Sequence, residues 1–123
     1  MLNMTNDVYK ILTEEEWREG RASSKIITEL DLKDGFVHLS TASQLNASLS
    51  LYFANESRVV LAQINLSKIK NNLKYEVSSN SKNRNGKFPH FYGILNTNMI
   101  LKTWQLERSA FCLPQEVLLQ AEQ

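Results

Sequence analysis

The sequence predicts an α+β fold, a mostly antiparallel sheet with short helices packed on it. Three observations predict it. Helix-like and strand-like segments alternate only in the first half of the chain, and the second half reads as consecutive strands, an order that argues against a doubly wound sheet. Residues 58–66 put Val60, Ala62, Ile64 and Leu66 on one face and Val59, Leu61, Gln63 and Asn65 on the other, the pattern of a central strand packed on both sides. The chain also holds only four glycines, and neither a dinucleotide fingerprint nor a P-loop can be written with them where they stand.

Taken in order, Val8-Tyr9-Lys10-Ile11-Leu12 is β-prone and reads as the first strand. Thr13-x-x-Glu16 is a capping box that opens a helix, with Glu14, Glu15 and Glu16 at its positive end. Trp17 is expected to pack this helix on the sheet, and Gly20 to end it as a left-handed cap. Residues 21–33 offer Ile26, Ile27, Leu30 and Leu32 without a clean period, and read as an irregular connection of a length that often covers a site. Asp34-Gly35 is a turn dipeptide. Residues 36–40 then alternate as a strand, with Phe36, His38 and Ser40 on one face and Val37 and Leu39 on the other. Thr41-Ala42-Ser43-Gln44 is a second capping box, and residues 41–54 read as a helix with Leu45, Leu49, Tyr52 and Phe53 in a buried stripe. Beyond the 58–66 strand come a helical turn at 67–69, a strand at 73–77 and a polar loop at 78–87 carrying Lys82, Arg84 and Lys87. Strands at 91–95 and 99–106 follow, joined by an Asn96-Thr97-Asn98 turn. On the last of them Ile100, Trp104 and Leu106 are expected to share a face that Lys102 breaks or borders. Pro114 is expected to start a C-terminal helix with Val117, Leu118 and Leu119.

The totals bound the function. A chain of 123 residues fits one domain, with a core at about 8–107 and a tail at 108–123. The net charge of +1 gives no steering toward nucleic acid, and no apolar run approaches the length that spans a bilayer. Cys112 is the only cysteine; it lies between Phe111 and Leu113 and reads as an apolar thiol rather than a nucleophile. One free thiol and the absence of a secretory pattern point to the cytoplasm.

Two stretches carry the chemistry. Asp34-Gly35-Phe36-Val37-His38-Leu39-Ser40-Thr41 sets one histidine and one hydroxyl on a strand face beside a helix start, a place to hold an anionic group. Phe88-Pro89-His90-Phe91-Tyr92-Gly93 holds the other histidine. If the strands are neighbours, His38, Ser40, Glu76, His90 and Tyr92 converge, and the group can donate hydrogen bonds to a ribose or phosphate with an acid at hand for general-base work. Each residue has a plainer reading: His38 and His90 as internally bonded histidines, Glu76 as a surface partner of Lys74 or Arg58, the 78–87 loop as a solvated one rather than an anion-binding flap. A Ser-His-Asp set from Ser40, a histidine and Asp34 lacks a nucleophile-elbow pattern. Two histidines with no ligand spacing around them give no metal site.

The series Tyr9-Lys10-Ile11, Trp17, residues 34–41 as above, Gln44, Phe53, the strand at 59–65, Tyr75-Glu76 and residues 88–93 as above resembles the bacterial domain-of-unknown-function family numbered 952, from about Val8 to Ile100. That family is placed by fold with the ADP-ribosyltransferase-like proteins, and His38-Leu39-Ser40 before a helix also looks like the tRNA 2′-phosphotransferase branch. The resemblance implies a split, mostly antiparallel sheet with a cleft for NAD as substrate and no covalently held cofactor. Of the catalytic candidates the resemblance offers His38, while Glu76 and His90 come from the converging polar group as alternative acid/base residues. The resemblance implies Lys10, Ser40, Thr41, Arg84 and Tyr92 as binding candidates, with His38 and Ser40 near the ribose and Tyr92 at the nicotinamide ring. The phosphotransferases carry an Arg-His pair where this chain has Tyr9-Lys10, and Arg84 is the counterpart offered for their later arginines. The expected function is therefore nucleotide binding and action at a ribose. The alternatives are a non-catalytic nucleotide or metabolite module, or a structural interaction domain.

Overall fold

The computed structural model describes residues 7–77, 86–107 and 115–121. Its centre is a four-stranded sheet in the order β4-β1-β5-β9, every pair antiparallel. The strands are β1 (Val8–Thr13), β4 (Ser40–Thr41), β5 (Arg58–Ile64) and β9 (Ile100–Glu107). The two-sided pattern of β5 is realised. Val60, Ala62 and Ile64 enter one core with Val8, Leu12, Val37, Leu39 and Phe91; Val59 and Leu61 enter the other with Tyr9, Ile11, Leu45, Leu49 and Leu106. Each buried Val, Leu or Ile side chain is worth about 1.5–3 kcal/mol against exposure, so the sheet is stabilised from both sides. β5 ends at Ile64, two residues short of the predicted 66. There Asn65 caps α4 (Leu66–Ile69), its side chain accepting from the Ser67 amide at 3.2 Å.

On β9 the expected face breaks. Gln63 pairs with Lys102 and Ile64 with Ile100, so one extra residue, Leu101, stands in the ladder. A bulge of this kind reverses the side-chain alternation beyond it. Ile100 therefore packs on the first core, and Trp104 and Leu106 on the second.

The first capping box forms as predicted. Thr13 Oγ1 accepts from the Glu16 amide at 3.0 Å, and the Glu16 carboxylate accepts from the Thr13 amide at 2.9 Å. The helix it opens, α1 (Glu14–Ser23), does not stop at Gly20; the left-handed cap is Ser24, at φ 68°. Gly20 is there for closeness. A Cβ on it would lie 2.5 Å from Ile26 Cδ1, so its bare backbone lets α1 lie on β2 (Lys25–Ile26).

The stretch expected to be irregular is ordered. It holds the end of α1, β2, and α2 (Glu29–Asp34). Thr28 Oγ1 accepts from the Asp31 amide at 3.2 Å, and Gly35, at φ 83°, closes the helix by donating to the Asp31 carbonyl at 2.9 Å. A six-residue helix is too short to show a period and is defined by its caps.

Residues 36–40 do not make one strand. β3 (Val37–His38) belongs to a second sheet, order β3-β7-β6, formed with β6 (Leu73–Val77) and β7 (Lys87–Phe91). After Leu39 the chain crosses to β4 of the first sheet, and the Leu39 amide donates to the Pro89 carbonyl at 3.1 Å at the crossing. β7 lies at 87–91, not at 91–95, so Phe88, Pro89 and His90 are strand residues; Tyr92, Gly93 and Ile94 lead to β8 (Leu95–Asn96), which pairs with β2. The helix expected at 41–54 is a 3-10 turn (Ala42–Gln44) followed by α3 (Leu45–Tyr52). Leu45 and Leu49 are core, whereas Tyr52 is 39 % exposed. The last helix, α5 (Gln115–Ala121), buries Val117 in the second core. Among the described residues no helix is long and apolar enough to cross a membrane. The 78–85 part of the polar loop, Cys112 and Pro114 lie outside the described residues.

Candidate functional site

The crossing at Leu39 puts His38 at the seam between the two sheets, and β7 pairs His38 directly with His90. The stretches at 34–41 and 88–93 therefore meet. The two rings lie 5.8 Å apart. Phe36, two residues before His38 on the same side, stacks on His90 at 4.0 Å, touches His38 at 4.5 Å and reaches Tyr92 at 5.4 Å. A phenyl ring thus screens the histidine pair from water on one side.

Around His38 the organising group is Asp31, on the first turn of α2. Its Oδ1 accepts from the His38 ring at Nδ1, 2.7 Å, and from the His38 backbone amide, 3.1 Å; its Oδ2 accepts from Lys10 Nζ, 2.7 Å. Lys10 Nζ also donates to the His38 carbonyl at 3.1 Å. Both Lys10 and Asp31 are buried. Burial pushes the Asp31 carboxyl up, but the His38 hydrogen bond and the Lys10 ammonium outweigh it and hold the group below the usual carboxylate range. The other ring nitrogen of His38, Nε2, lies 2.8 Å from Asp34 Oδ2.

Around His90 the organising group is Glu76, on the neighbouring strand β6. Its Oε1 accepts from His90 Nδ1 at 2.8 Å and from the Tyr92 hydroxyl at 2.7 Å. The Tyr92 hydrogen bond first, and the His90 bond second, hold the Glu76 carboxyl below its ordinary value. The same bond pushes the Tyr92 hydroxyl up. Since Glu76 is ionised and can only accept, His90 carries its proton on Nδ1. No described residue engages Nε2. Arg58, offered as a surface partner for Glu76, pairs with Glu107 instead, at 3.3 Å.

Between these groups and α1, α2 and α3 lies a cavity of about 100 Å³ whose wall includes Lys10, Thr28, Leu30, His38, Ser40 and His90. Three of the binding candidates are engaged inside the protein. The Ser40 hydroxyl shares a buried hydrogen bond of 2.9 Å with Ser48. The Thr41 amide donates to Gln44 Oε1 at 3.0 Å, the capping-box bond. Lys10 is neutralised by Asp31. Tyr92 lies behind Phe36, with its hydroxyl on Glu76 and Lys74 Nζ 5.4 Å over its ring. Arg84 lies outside the described residues. The structure thus brings together His38, Glu76, His90, Tyr92, Lys10 and Ser40. It adds Asp31, Phe36 and Ser48, which the pattern of the sequence did not single out. The Thr28-x-x-Asp31 spacing, a helix-start signature, was the available signal for Asp31.

Residues 11–103 match the family described as Protein of unknown function (DUF952). The chain belongs to that family. The matched segment contains every group of the site except Lys10, which stands one residue before it. This DUF952 chain is also similar to solved structures of protein CC0527 from Caulobacter crescentus. The crystal structure is 28 % identical in sequence, covers 94 % of this chain and 98 % of that one, and gives a TM-score of 0.76. The solution NMR structure, also 28 % identical, covers 90 % and 93 % and gives 0.73. Among curated proteins none matches the chain.

Proposed function

We propose that this DUF952 protein binds the ribose of an NAD- or ADP-ribose-type nucleotide at the His38–His90 cavity and acts at its anomeric carbon. The observation that carries the reading is the Glu76–His90 pair. One ring nitrogen is held by a carboxylate, the other has no described partner, and the ring is part of a cavity wall, which is how a general base is oriented. Two further features support it. A space of about 100 Å³ suits one sugar ring, so the rest of a nucleotide would lie outside its mouth. Three carboxylates (Asp31, Asp34 and Glu76) surround the histidines, and negative charge favours an oxocarbenium-like transition state. The break between the two sheets at Leu39 is in keeping with the split sheet that the resemblance to ADP-ribosyltransferase-like proteins implies. In this reading His90 moves the proton, Glu76 fixes its tautomer, and His38 with Asp31 shapes the wall.

The reading is tested by thermal unfolding with NAD, ADP-ribose, nicotinamide, AMP and a 2′-phosphorylated nucleotide, together with nicotinamide release from NAD. A ligand at about 100 times its Kd adds roughly 2.7 kcal/mol, which in a domain of this size raises the midpoint on the order of 4 to 10 °C. NAD or ADP-ribose should give that rise, and His90→Gln should keep the rise but lose turnover. If no nucleotide in the set moves the midpoint, the ribose reading fails.

A second reading, a binding module without chemistry, is favoured by one observation. Both ring nitrogens of His38 and the Ser40 hydroxyl are already bonded within the protein. It predicts the same thermal rise with no product, in the wild type as in His90→Gln.

A further inference from the structure

We infer that α2 is a proton-held wall of the cavity: the doubly protonated ring of His38 clamps the helix down through Asp31 and Asp34, and loss of one ring proton frees the Asp34 end. The inference goes beyond the ribose reading and stands without it.

Leu30 of α2 and the cap residue Thr28 line the cavity, so movement of this helix changes the opening. Hydrophobic burial does little to hold it. Of its six residues only Asp31 is buried, while Leu30 and Leu32 are 39 % and 72 % exposed. A helix of this length does not persist on its own backbone bonds. What fixes it is polar: Asp31 to Lys10 and to His38, and Asp34 to His38.

The clamp has an arithmetic of protons. Two carboxylates face the two ring nitrogens of His38, and as anions they only accept, so both bonds require both N–H groups. The other charged or titratable groups near the ring are Lys10 from β1, on the His38 carbonyl, and His90 from β7 at 5.8 Å, itself bonded to Glu76 of β6. When a ring proton leaves to solvent, one carboxylate faces a lone pair. Asp31 is retained, because Lys10 Nζ and the His38 amide still donate to it. Asp34 has no other partner among the described residues, so its end of α2 is the end that lets go.

The test is hydrogen exchange and histidine ring NMR on the ligand-free protein over about pH 5 to 9, the range where histidines commonly switch. The reporter is the Gly35 amide, which donates to the Asp31 carbonyl at 2.9 Å at the end Asp34 holds; the Leu32 amide, which donates to the Thr28 carbonyl at 3.1 Å at the retained end, should change less. The Gly35 protection factor should fall roughly two- to fivefold as the His38 ring loses a proton, the size expected for a partly exposed ion pair. The Phe53 amide, bonded to the Leu49 carbonyl at 3.0 Å, is the control and should stay level. In Asp34→Ala, which removes the partner of Nε2 altogether, the Gly35 reporter should already be low at acid pH and show no step. Protection that stays constant while His38 loses its proton overturns the inference. So does a full step in Asp34→Ala, or a His38 ring that keeps both protons throughout. Because no nucleotide is present, these outcomes are independent of the ribose test.

Discussion

His38 and His90 are direct neighbours across β3 and β7, yet they are opposite in kind. The more exposed ring, His38, with 24 % of its side chain open, has both nitrogens taken by carboxylates; the buried one, His90 at 6 %, has only one taken. Exposure and chemical availability have come apart. The reason is which elements supply the carboxylates. α2 brings Asp31 and Asp34 to both edges of the His38 ring, whereas β6 brings a single carboxylate, Glu76, to His90, and Phe36 covers that ring's face. A histidine reachable by water is therefore a poor candidate for proton transfer here, and a screened one is the better candidate.

The sharpest way to break this comparison is at Asp31. In Asp31→Ala the Lys10 ammonium is left buried and unpaired, which typically costs about 3–5 kcal/mol; urea unfolding should show it as a lower midpoint with little change in slope. Adding Lys10→Met to Asp31→Ala should recover only part of that loss: it removes the stranded charge, but the His38 backbone amide and ring N–H that Asp31 accepted stay unpaired. Glu76→Gln, which removes the exposed carboxylate of the other half, should move the midpoint far less. If the two single variants were equally destabilised, the two halves would not differ as described.

Acid comes next in size. Asp31 has a folded carboxyl value below its unfolded one, so its contribution is present above the unfolded value and is lost as pH falls through the folded one. Stability measured by urea should decline through and below the ordinary carboxylate range, and the decline should be shallower in Asp31→Asn. The opposite sign holds at Tyr9, whose hydroxyl is pushed up to about 12 from 10.0, by burial first and by Asp7 second. Its contribution is present below 10.0 and is lost as pH rises toward about 12. Tyr9→Phe should flatten that alkaline limb; an unchanged slope would show that burial of Tyr9 is not what sets it.

How much of this was legible in the sequence follows the range of the forces involved. The β5 strand and the Thr13 capping box were readable, because period two and local capping chemistry are written in adjacent positions; the meeting of the two histidine stretches was a condition on strand pairing that β3 and β7 fulfil. Three features were not. The bulge at Leu101 depends on the partner strand; within residues 99–106 the one sign of it is Lys102, which interrupts the apolar face. The break of the 36–40 strand at Leu39 depends on two different sheets claiming its two ends. Asp31 was hidden because α2 is too short to carry a period, although its Thr28 and Gly35 caps stood in the sequence. The same gap concealed why Lys10 is tolerated in a buried position of β1: its counter-ion comes from a segment read as irregular.

The smallest expected effect sharpens the comparison most finely. Glu76 is held low by two donors, the Tyr92 hydroxyl first and His90 second. Tyr92→Phe removes the larger of the two and leaves the His90 bond intact. Tyr92 contributes no buried surface at its hydroxyl, so thermal unfolding should barely move. The Glu76 carboxyl, followed by carbon NMR against pH, should titrate nearer to its ordinary value than in the wild type. At neutral pH the group is ionised in both proteins, so His90 should keep its proton on Nδ1 in both. The two should part only in acid, where the variant's carboxyl protonates first and stops accepting from His90 Nδ1 as an anion. A Glu76 titration unchanged by Tyr92→Phe would mean that the histidine alone fixes the carboxylate, and that Tyr92 serves only as the outer wall of Phe36.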